Sequence, residues 1–381
     1  MMRKVAIVGV AQTRFERQKK GEGFPDLVFD VSRRALEDAG ISANELHQTI
    51  TASQDFYDGR TISNFAVSDA CASFMKPESK VAMDSSMAVF YSLARILSGS
   101  YDNGLVVTHC KMSQGQPNLI YNAVFDPIYQ RHLGLDAHSV HAFQARAYMN
   151  KYGITAEQCA AVSVKNHANA LKNPYAQEGC ELTIREVLSS PMLADPLHTL
   201  DAMPVSDGAC ALVLAEEGTA KRLTKKPVWI KGIASFMDAY YLGERDLADP
   251  SALTKAAQKA YAMAGIQNPA KEIDVAEVTE YYSYQELLWA EGLGLCGRGK
   301  GGRMVEDGTS SLTGSLPINP SGGVLAGNPY TVAGLVRVVE AYLQLTSAAG
   351  EHQIEGARTA VTHGTTGPCG QSHCVIVLST Q

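Results

Sequence analysis

Residues 5–13 read VAIVGVAQT, and a similar stretch, VWIKGIASF, occupies residues 228–236 of the 381-residue chain. The glycines of the two stretches, Gly9 and Gly232, lie 223 residues apart. Apolar runs with so few polar positions are typical of strands that are buried on both faces of a sheet. Similarity at this distance indicates an internal repeat and predicts two related halves.

Each of these two stretches is followed by an amphipathic segment that ends in Ala-Gly-Ile. The segments predict helices over 31–41 and 253–266, and their glycines, Gly40 and Gly265, lie 225 residues apart. Glycine ends a helix readily because it adopts the left-handed conformation without strain. The helices therefore belong to the same repeat as the strands.

Three further matched pairs complete the two halves. They are the corresponding segments at 44–50 and 271–278, helices at 85–97 and 328–345, and strands at 105–110 and 359–364. Order and spacing are both retained, which predicts an α/β fold of two packed halves. We expect an N-terminal half at 1–225, which carries an insertion at about 113–204, and a C-terminal half at 226–381.

Composition and charge narrow the possible partners. A net charge of -6 and a pI near 5.9 argue against a nucleic-acid-binding protein, which would normally show a clustered basic face. No apolar run approaches the roughly 18 residues of a membrane span, and the one near the N-terminus is too short for a signal peptide. The eight cysteines lack metal-binding spacing. We expect a cytoplasmic protein with free thiols and no metal.

Several short motifs give the sequence a family resemblance. They are DSSM at 84–87, THCKMS at 108–113, VSDGAC at 205–210, NPSGG at 319–323 and GNP at 327–329. In this order, and over essentially the whole chain, the sequence resembles the thiolase superfamily. It is most similar to the sterol-carrier-protein branch and to archaeal-type thiolases that act with a small zinc-ribbon, OB-fold (DUF35-type) partner. The resemblance implies two βαβαβαββ halves in α/β/α/β/α layers, a homodimer, and coenzyme A thioesters as substrates.

The resemblance also places candidate catalytic residues. The family's acyl-accepting cysteine corresponds to Ser85, which is a weak nucleophile, an N-cap of the following helix, or a substitution of a native cysteine. The family's carbonyl-polarising histidine corresponds to Asn328, which can donate a hydrogen bond but cannot take a proton. In the third family element, Thr279 is expected to hold a water and Glu280 to be structural.

The family's glycine-rich C-terminal loop corresponds to HGTTGPCGQ at 363–371. It supplies Cys369 as a displaced nucleophile or a base. Other candidates lie in or beside the matched loops: His363 and His373 as bases, and Tyr281, Tyr282 and Tyr330 as acids.

Coenzyme A carries phosphates, so cations should contact it. The candidates are Arg131, Lys165 and Arg222, while Gly322 and Gly323 are expected to shape the pocket. The segment 113–141 has no clear period and is expected to be a mobile cover. Its aromatic residues, Tyr121, Phe125 and Tyr129, either line a pocket for a bulky or aromatic acyl group or anchor the loop.

Three functions fit these residues. The favoured one is a thiolase that cleaves or forms the carbon-carbon bond of a 3-oxoacyl-CoA, an acyl-CoA C-acyltransferase. The second is a retro-aldolase on a 3-hydroxyacyl-CoA, which needs a base and an oxyanion hole but no nucleophile. The third is a non-catalytic scaffold that binds coenzyme A or lipid.

Overall fold

The structure, a computed structural model, describes residues 3–381. Residues 1 and 2, with which the predicted N-terminal half begins, lie outside the described residues. The strands are β1 Val5–Gln12, β2 Thr49–Ala52, β3 Glu78–Val81, β4 Asn103–Lys111, β5 Met192–Ala194, β6 Leu197–His198, β7 Asp207–Glu216, β8 Val228–Met237, β9 Val275–Val278, β10 Thr359–Thr366 and β11 Ser372–Ser379. The helices are α1 Phe24–Ala39, α2 Asp55–Asp58, α3 Ser86–Leu97, α4 Pro117–Asn122, α5 Ala137–Tyr152, α6 Ala156–Ala170, α7 Ile184–Ser189, α8 Glu217–Leu223, α9 Ser251–Ala264, α10 Pro269–Glu272, α11 Ser283–Gly292, α12 Gly301–Glu306 and α13 Ala333–Thr346.

Strand pairing repeats the predicted duplication. Nine strands form a mixed sheet in the order β3-β2-β4-β7-β1-β8-β11-β10-β9, and its halves meet where Ala6 and Ile7 of β1 pair with β8. In the first half β1–β7 and β7–β4 are antiparallel and β4–β2 is parallel. In the second half β8–β11 and β11–β10 are antiparallel and β10–β9 is parallel. The counterpart of β3 is reduced to a bridge between Ala276 and Ile318.

The repeated glycines allow a helix to lie directly on a strand. A Cβ atom on Gly9 would lie 2.5 Å from the backbone nitrogen of Ala39 and 2.6 Å from the carbonyl oxygen of Ala35, both in α1. A Cβ atom on Gly232 would meet the carbonyl oxygen of Ala260 in α9 in the same way. Both positions require glycine because the backbones approach too closely for any side chain.

The helices divide into three layers around the strands. α1 packs on the outer face of β1 and β7, and α9 on the outer face of β8 and β11, while α3 and α13 contact each other and strands of both halves. The predicted five-layer α/β fold is confirmed. The predicted helix at 328–345 begins only at Ala333, because residues 327–332 form a turn around Pro329.

The predicted insertion contains α4 to α7 and the β5–β6 hairpin. The expectation of an irregular cover over 113–141 is wrong in part, because the segment includes α4 and the first turn of α5. Tyr121 and Phe125 are buried against Val140, whereas Tyr129 is exposed. Two of the three aromatic residues thus anchor the segment. No helix among residues 3–381 is long and apolar enough to cross a membrane.

Candidate active site

Ser85 immediately precedes α3, but its hydroxyl serves another helix. Its Oγ atom accepts a hydrogen bond from the backbone nitrogen of Leu335 at 2.9 Å and donates to the carbonyl of Val332 at 3.3 Å. The neighbouring Asp84 accepts from the backbone nitrogen of Gly334 at 2.9 Å. Ser85 makes no side-chain bond to α3. The expected cap of α3 is therefore corrected: Ser85 and Asp84 cap α13 of the other half.

Five tyrosines gather where the turn at 327–332 meets the segment 113–141 and the loop after β9. We call Tyr57, Tyr121, Tyr281, Tyr282 and Tyr330 the tyrosine cluster. The ring of Tyr330 lies 4.9 Å from that of Tyr281, 5.8 Å from that of Tyr57 and 6.0 Å from that of Tyr121. Within the described residues, the hydroxyls of Tyr57, Tyr121 and Tyr330 have no hydrogen-bond partner. These hydroxyls can meet a polar ligand.

Two histidines of α5 adjoin the tyrosine cluster. His138 Nδ1 lies 2.9 Å from the hydroxyl of Tyr282, and the ring of His141 stacks on the Tyr282 ring at 4.7 Å. His141 Nδ1 lies 2.6 Å from the carbonyl oxygen of Ala137, so it carries the proton and Nε2 keeps a lone pair. Nε2 is buried without a hydrogen-bond partner in the described part of the chain. Burial lowers the pKa of His141 to about 4, which keeps this ring neutral at pH 7.

The tyrosines stay protonated at neutral pH. Burial, with a smaller effect of Tyr330, raises the pKa of Tyr282 well above its usual value. Burial also raises the pKa of Tyr330, and nearby Asp136 adds to the shift. The cluster therefore offers hydrogen-bond donors beside neutral imidazoles. This arrangement suits proton transfer and the stabilisation of a developing oxyanion.

Cys369 lies beside this cluster but is not an activated nucleophile. Its Sγ atom donates to the carbonyl of Val140 at 3.2 Å, and its own carbonyl accepts from Gln144 at 3.0 Å and from Arg245 at 2.8 Å. Burial, opposed by Arg245, raises the pKa of the thiol to about 12. Because the thiolate is the reactive form, a neutral buried thiol is a poor acyl acceptor.

The predicted bases His363 and His373 lie outside the cluster. His363 Nε2 and His373 Nδ1 are 2.8 Å apart, and Trp289 covers both rings. The hydroxyl of Thr279, which is predicted to hold a water, donates to the carbonyl of His363 at 2.9 Å. These three residues fasten the loop after β9 to β10.

Asn328 lies two residues before Tyr330, yet its amide faces the other way. Its Oδ1 atom accepts from the Arg337 guanidinium at 2.6 Å, and the same guanidinium binds Glu277 at 2.6 Å and Ser321 at 2.9 Å. This fixes which end of the amide is the acceptor. The amide NH2 group is left as the donor that the resemblance implies.

Glu280 makes hydrogen bonds within the protein that agree with the predicted structural role. It is fully buried and accepts hydrogen bonds from Asn166 at 3.1 Å, from Asn319 at 2.8 Å and from the backbone nitrogen of Val324 at 2.8 Å. Burial and neighbouring Glu286 raise its pKa to about 8. The carboxyl group thus holds the NPSGG loop in place.

Gly322 and Gly323 shape this loop rather than the tyrosine cluster. Both have positive φ angles, +98° and +67°. A Cβ atom on Gly323 would meet the carboxylate of Glu280, and one on Gly322 would lie 2.8 Å from the Cβ of Ala170. Any other residue would be strained and would displace these neighbours.

Lys165 does not face a ligand. Its ammonium group is partly buried and lies 2.6 Å from the carbonyl of Ile318, 2.7 Å from Asn166 Oδ1 and 3.0 Å from Glu286. All three donors of the ammonium are occupied. Binding of coenzyme A by Lys165 stays a prediction, and it would require a phosphate to displace the buried Glu286.

Arg131 and Arg222 are also used locally. Arg131 donates to the carbonyls of Ala123 at 2.8 Å and Phe125 at 3.2 Å, and so braces the segment 113–141. Arg222 lies in α8 and donates to Thr219 at 3.2 Å. The structure gives neither residue a contact with the tyrosine cluster. Among residues 3–381 no group of three or more acidic, His or Cys side chains is placed to hold a metal ion.

The sequence reasoning did not identify His138, His141 and Tyr57 as residues of the candidate site. A signal was present, because histidines three positions apart lie on the same face of a helix. His138 and His141 have this spacing, but no matched motif pointed to the inserted helix that carries them.

Comparison with known proteins identifies the family. The family described as thiolase, N-terminal domain, matches residues 5–218, and that described as thiolase C-terminal domain-like matches residues 234–380. The acetyl-CoA acetyltransferase of Methanothermobacter thermautotrophicus is 34% identical over 97% of this chain and 98% of its own length. Sterol carrier protein 2 of Bos taurus is 30% identical over 94% of this chain and 69% of its own length.

Solved structures share the fold. The Ltp2-ChsH2(DUF35) aldolase matches with a TM-score of 0.85 and 23% identity, over 99% of this chain and 97% of that chain. The related acetyltransferases support the predicted enzyme class, a thiolase-superfamily acyltransferase whose chemistry concerns carbon-carbon bonds of coenzyme A thioesters. The chain belongs to the thiolase family, in its sterol-carrier-protein-like branch.

Proposed function

We propose that this enzyme cleaves a 3-hydroxyacyl-CoA by a retro-aldol reaction, without a covalent acyl-enzyme. The proposal is based on Ser85. Its hydroxyl is buried and is hydrogen-bonded to the backbone of Leu335 and Val332 at the N-terminus of α13. Cys369, the other predicted acyl acceptor, holds a protonated thiol. Membership of a fold family does not fix the reaction type, so the side chains at the site decide between the candidate reactions.

The retro-aldol reaction needs only the groups that meet at the tyrosine cluster. A base takes the proton of the 3-hydroxyl, the C2–C3 bond breaks, and C3 becomes a carbonyl. The electron pair of that bond moves to C2 and the thioester oxygen as an enolate, and a proton then returns to C2. The products are a ketone or aldehyde and a shortened acyl-CoA, and no free coenzyme A is consumed.

We assign both proton transfers, from the 3-hydroxyl and back to C2, to Tyr282, because its hydroxyl is already bonded to an imidazole. We assign Tyr330, whose hydroxyl has no partner in the described residues, to the thioester oxygen. The amide of Asn328 is held by Arg337 and faces away from Tyr330, so its role as an oxyanion donor stays a prediction from the sequence. Donors placed at a developing enolate are commonly worth about 10²- to 10³-fold in rate.

Thiolytic cleavage of a 3-oxoacyl-CoA, with Cys369 as the acyl acceptor, is the second candidate. The acetyltransferase names of the relatives favour it. It requires Cys369 to lose its bond to Val140 and its proton, at a pKa of about 12. This cost is the reason that the retro-aldol reaction comes first.

The same proposal extends to substrate and partners. Aromatic rings around Tyr330 favour a bulky or aromatic acyl group. We propose a cytoplasmic homodimer in which β3, the edge strand of the sheet, pairs with its copy. The Ltp2-ChsH2(DUF35) aldolase is, by its name, an aldolase with a DUF35 component, which supports a zinc-ribbon, OB-fold partner for this chain. We also propose that the chain divides into an N-terminal half at 1–225 and a C-terminal half at 226–381.

The test is a panel of 3-hydroxyacyl-CoA and 3-oxoacyl-CoA thioesters, assayed with and without free coenzyme A and with and without a DUF35-type partner. We expect cleavage of a 3-hydroxyacyl-CoA that does not depend on coenzyme A. Tyr330→Phe should reduce kcat by about 10²-fold because a donor to the enolate is lost. Tyr129→Phe, an exposed tyrosine of the neighbouring segment, is the matched control and should retain full activity.

Cys369→Ala separates the two candidates. Retro-aldol cleavage should survive this substitution. Cleavage of 3-oxoacyl-CoA that requires coenzyme A and disappears in Cys369→Ala would replace the proposal with the thiolase reaction. Binding of acyl-CoA with no turnover of any thioester would instead support a non-catalytic scaffold.

A further inference from the structure

Tyr282 and His138 form a hydrogen-bonded pair that reaches from the protein interior to its surface. Tyr282 is 1% exposed, whereas His138, at the first turn of α5, is half-buried. Their polar atoms are 2.9 Å apart, and their rings meet edge to face with centroids 6.0 Å apart. One end of the pair therefore lies among the tyrosines and the other reaches the outside of the molecule.

Neighbouring side chains hold the Tyr282 ring in place and set the charge of His138. His141 stacks on the Tyr282 ring and is itself held by the carbonyl of Ala137. Asp136 caps α5 through Ser139 and is an acidic neighbour of His138 on the same helix. Arg245, from the segment between β8 and α9, is the cation that acts on His141. Burial lowers the pKa of His138 and Asp136 opposes the shift, so the imidazole is neutral at pH 7.

We propose that His138 is a proton relay that connects Tyr282 with solvent. This inference rests on the proposed function and adds the proton path to it. When Tyr282 takes a proton from the ligand, its own proton passes to His138 Nδ1, and Nε2 releases a proton to water. The reverse sequence resets the pair, so that no proton or electron is consumed.

The relay can be measured without carbon-carbon cleavage. An enzyme that forms an enolate from acetyl-CoA in D2O exchanges the α-protons only if protons pass between the site and solvent. The exchange is followed by proton NMR of acetyl-CoA with the wild type, His138→Ala, His138→Gln and, as a control, His132→Gln. His132 is exposed in the turn before α5, so its substitution leaves the pair intact.

We expect exchange by the wild type and by His132→Gln, and about 10²-fold slower exchange by both His138 variants. His138→Gln is decisive because glutamine can accept the Tyr282 hydrogen bond but cannot transfer a proton through two nitrogens. Added imidazole should restore exchange in His138→Ala, where it can occupy the vacated half-exposed position, and not in His138→Gln. Thermal unfolding verifies that each variant is folded.

Each outcome separates the relay from the proposed reaction. Full exchange in His138→Gln would mean that the histidine only positions Tyr282, and the relay would be overturned. Wild-type enzyme that cleaves 3-hydroxyacyl-CoA but does not exchange acetyl-CoA would also overturn the relay while the proposed function stands. Exchange without cleavage of any 3-hydroxyacyl-CoA would overturn the proposed function and retain the relay. Absence of both would reject both.

Discussion

Two pairs of histidines lie near the candidate site, and they make different contacts. His363 and His373 bond to each other at 2.8 Å beneath Trp289, and both are fully buried. His138 and His141 both meet Tyr282, one through its hydroxyl and one through its ring. His363 and His373 bond to each other, and among residues 3–381 neither is shown to meet a tyrosine, whereas His138 Nδ1 meets the hydroxyl of Tyr282. We therefore assign proton exchange with a ligand to the second pair.

The surroundings of His363 follow from the face of the sheet to which its side chain points. Successive side chains of a strand point to opposite faces. His363 in β10 faces Trp289 of α11, while Gly364, the next residue, faces Asp84 and Ser86 beside α3. Position beside a glycine-rich loop was therefore a poor guide to function.

Tyr282→Phe should have the largest effect on the difference between the two histidine pairs. Loss of the hydroxyl removes the group that exchanges a proton with the substrate and leaves His138 without its partner. We expect kcat for 3-hydroxyacyl-CoA cleavage to fall by about 10²- to 10⁴-fold, with a small change in KM, because this bond matters in the transition state. Steady-state kinetics of the folded variant measure the loss.

The matched variant in the other pair is His373→Asn. It should lower stability, because His363 loses its partner, while kcat per folded molecule stays within about threefold of the wild type. Equal losses of kcat in Tyr282→Phe and His373→Asn, at matched folded fractions, would mean that the two pairs are not functionally distinct.

Acidification should lower the free energy of unfolding through the buried His373. Burial lowers the pKa of His373 to about 3, below its ordinary value of 6.5. A proton therefore binds the unfolded chain more readily, so the contribution of His373 to stability is complete above pH 6.5 and is lost as the pH falls toward 3. At pH 4 the loss is about 3 kcal/mol relative to pH 7.

Urea unfolding at pH 7 and pH 4 measures this loss for the wild type and for His373→Asn. The variant has no imidazole to protonate at this position, so the difference between its two midpoints should be smaller. An unchanged difference would show that acid destabilises the protein elsewhere and that His373 is protonated in the folded state.

The repeat was predictable from sequence, and the direction of the side chains was not. Gly9 and Gly232 revealed the duplication because close packing of a helix on a strand excludes every other residue. The loops that carry Ser85, Asn328 and Tyr330 were also found from their motifs. A motif places a backbone segment, but the contacts of its side chains depend on elements far away in the chain.

Asn328 illustrates this limit, because its amide is oriented by Arg337 in the middle of α13. His138 and His141 illustrate another, because they lie on an inserted helix that the repeat cannot predict. The fold thus followed from periodicity and glycine positions. The candidate site required tertiary contacts between the insertion and both halves.

The smallest expected effect concerns Ser85, where the two halves of the molecule meet. Ser85→Ala removes the acceptor for the backbone nitrogen of Leu335 and should lower the free energy of unfolding by about 1 kcal/mol, within the usual range for a helix cap. The rate of cleavage should not change, because the hydroxyl stabilises α13 and does not attack the thioester. Urea unfolding and steady-state kinetics measure the two quantities.

Ser85→Cys completes the test, because it restores the residue type that the family resemblance places there. A thiol in this buried position, against the backbone of Leu335 and Val332, should stay protonated and form no acyl-enzyme, as followed by mass spectrometry after incubation with acetyl-CoA. Acylation of the Ser85→Cys protein, or a loss of kcat in Ser85→Ala at unchanged stability, would return the nucleophile to the N-terminus of α3. The thiolase reaction would then account for this site better than the tyrosine cluster does.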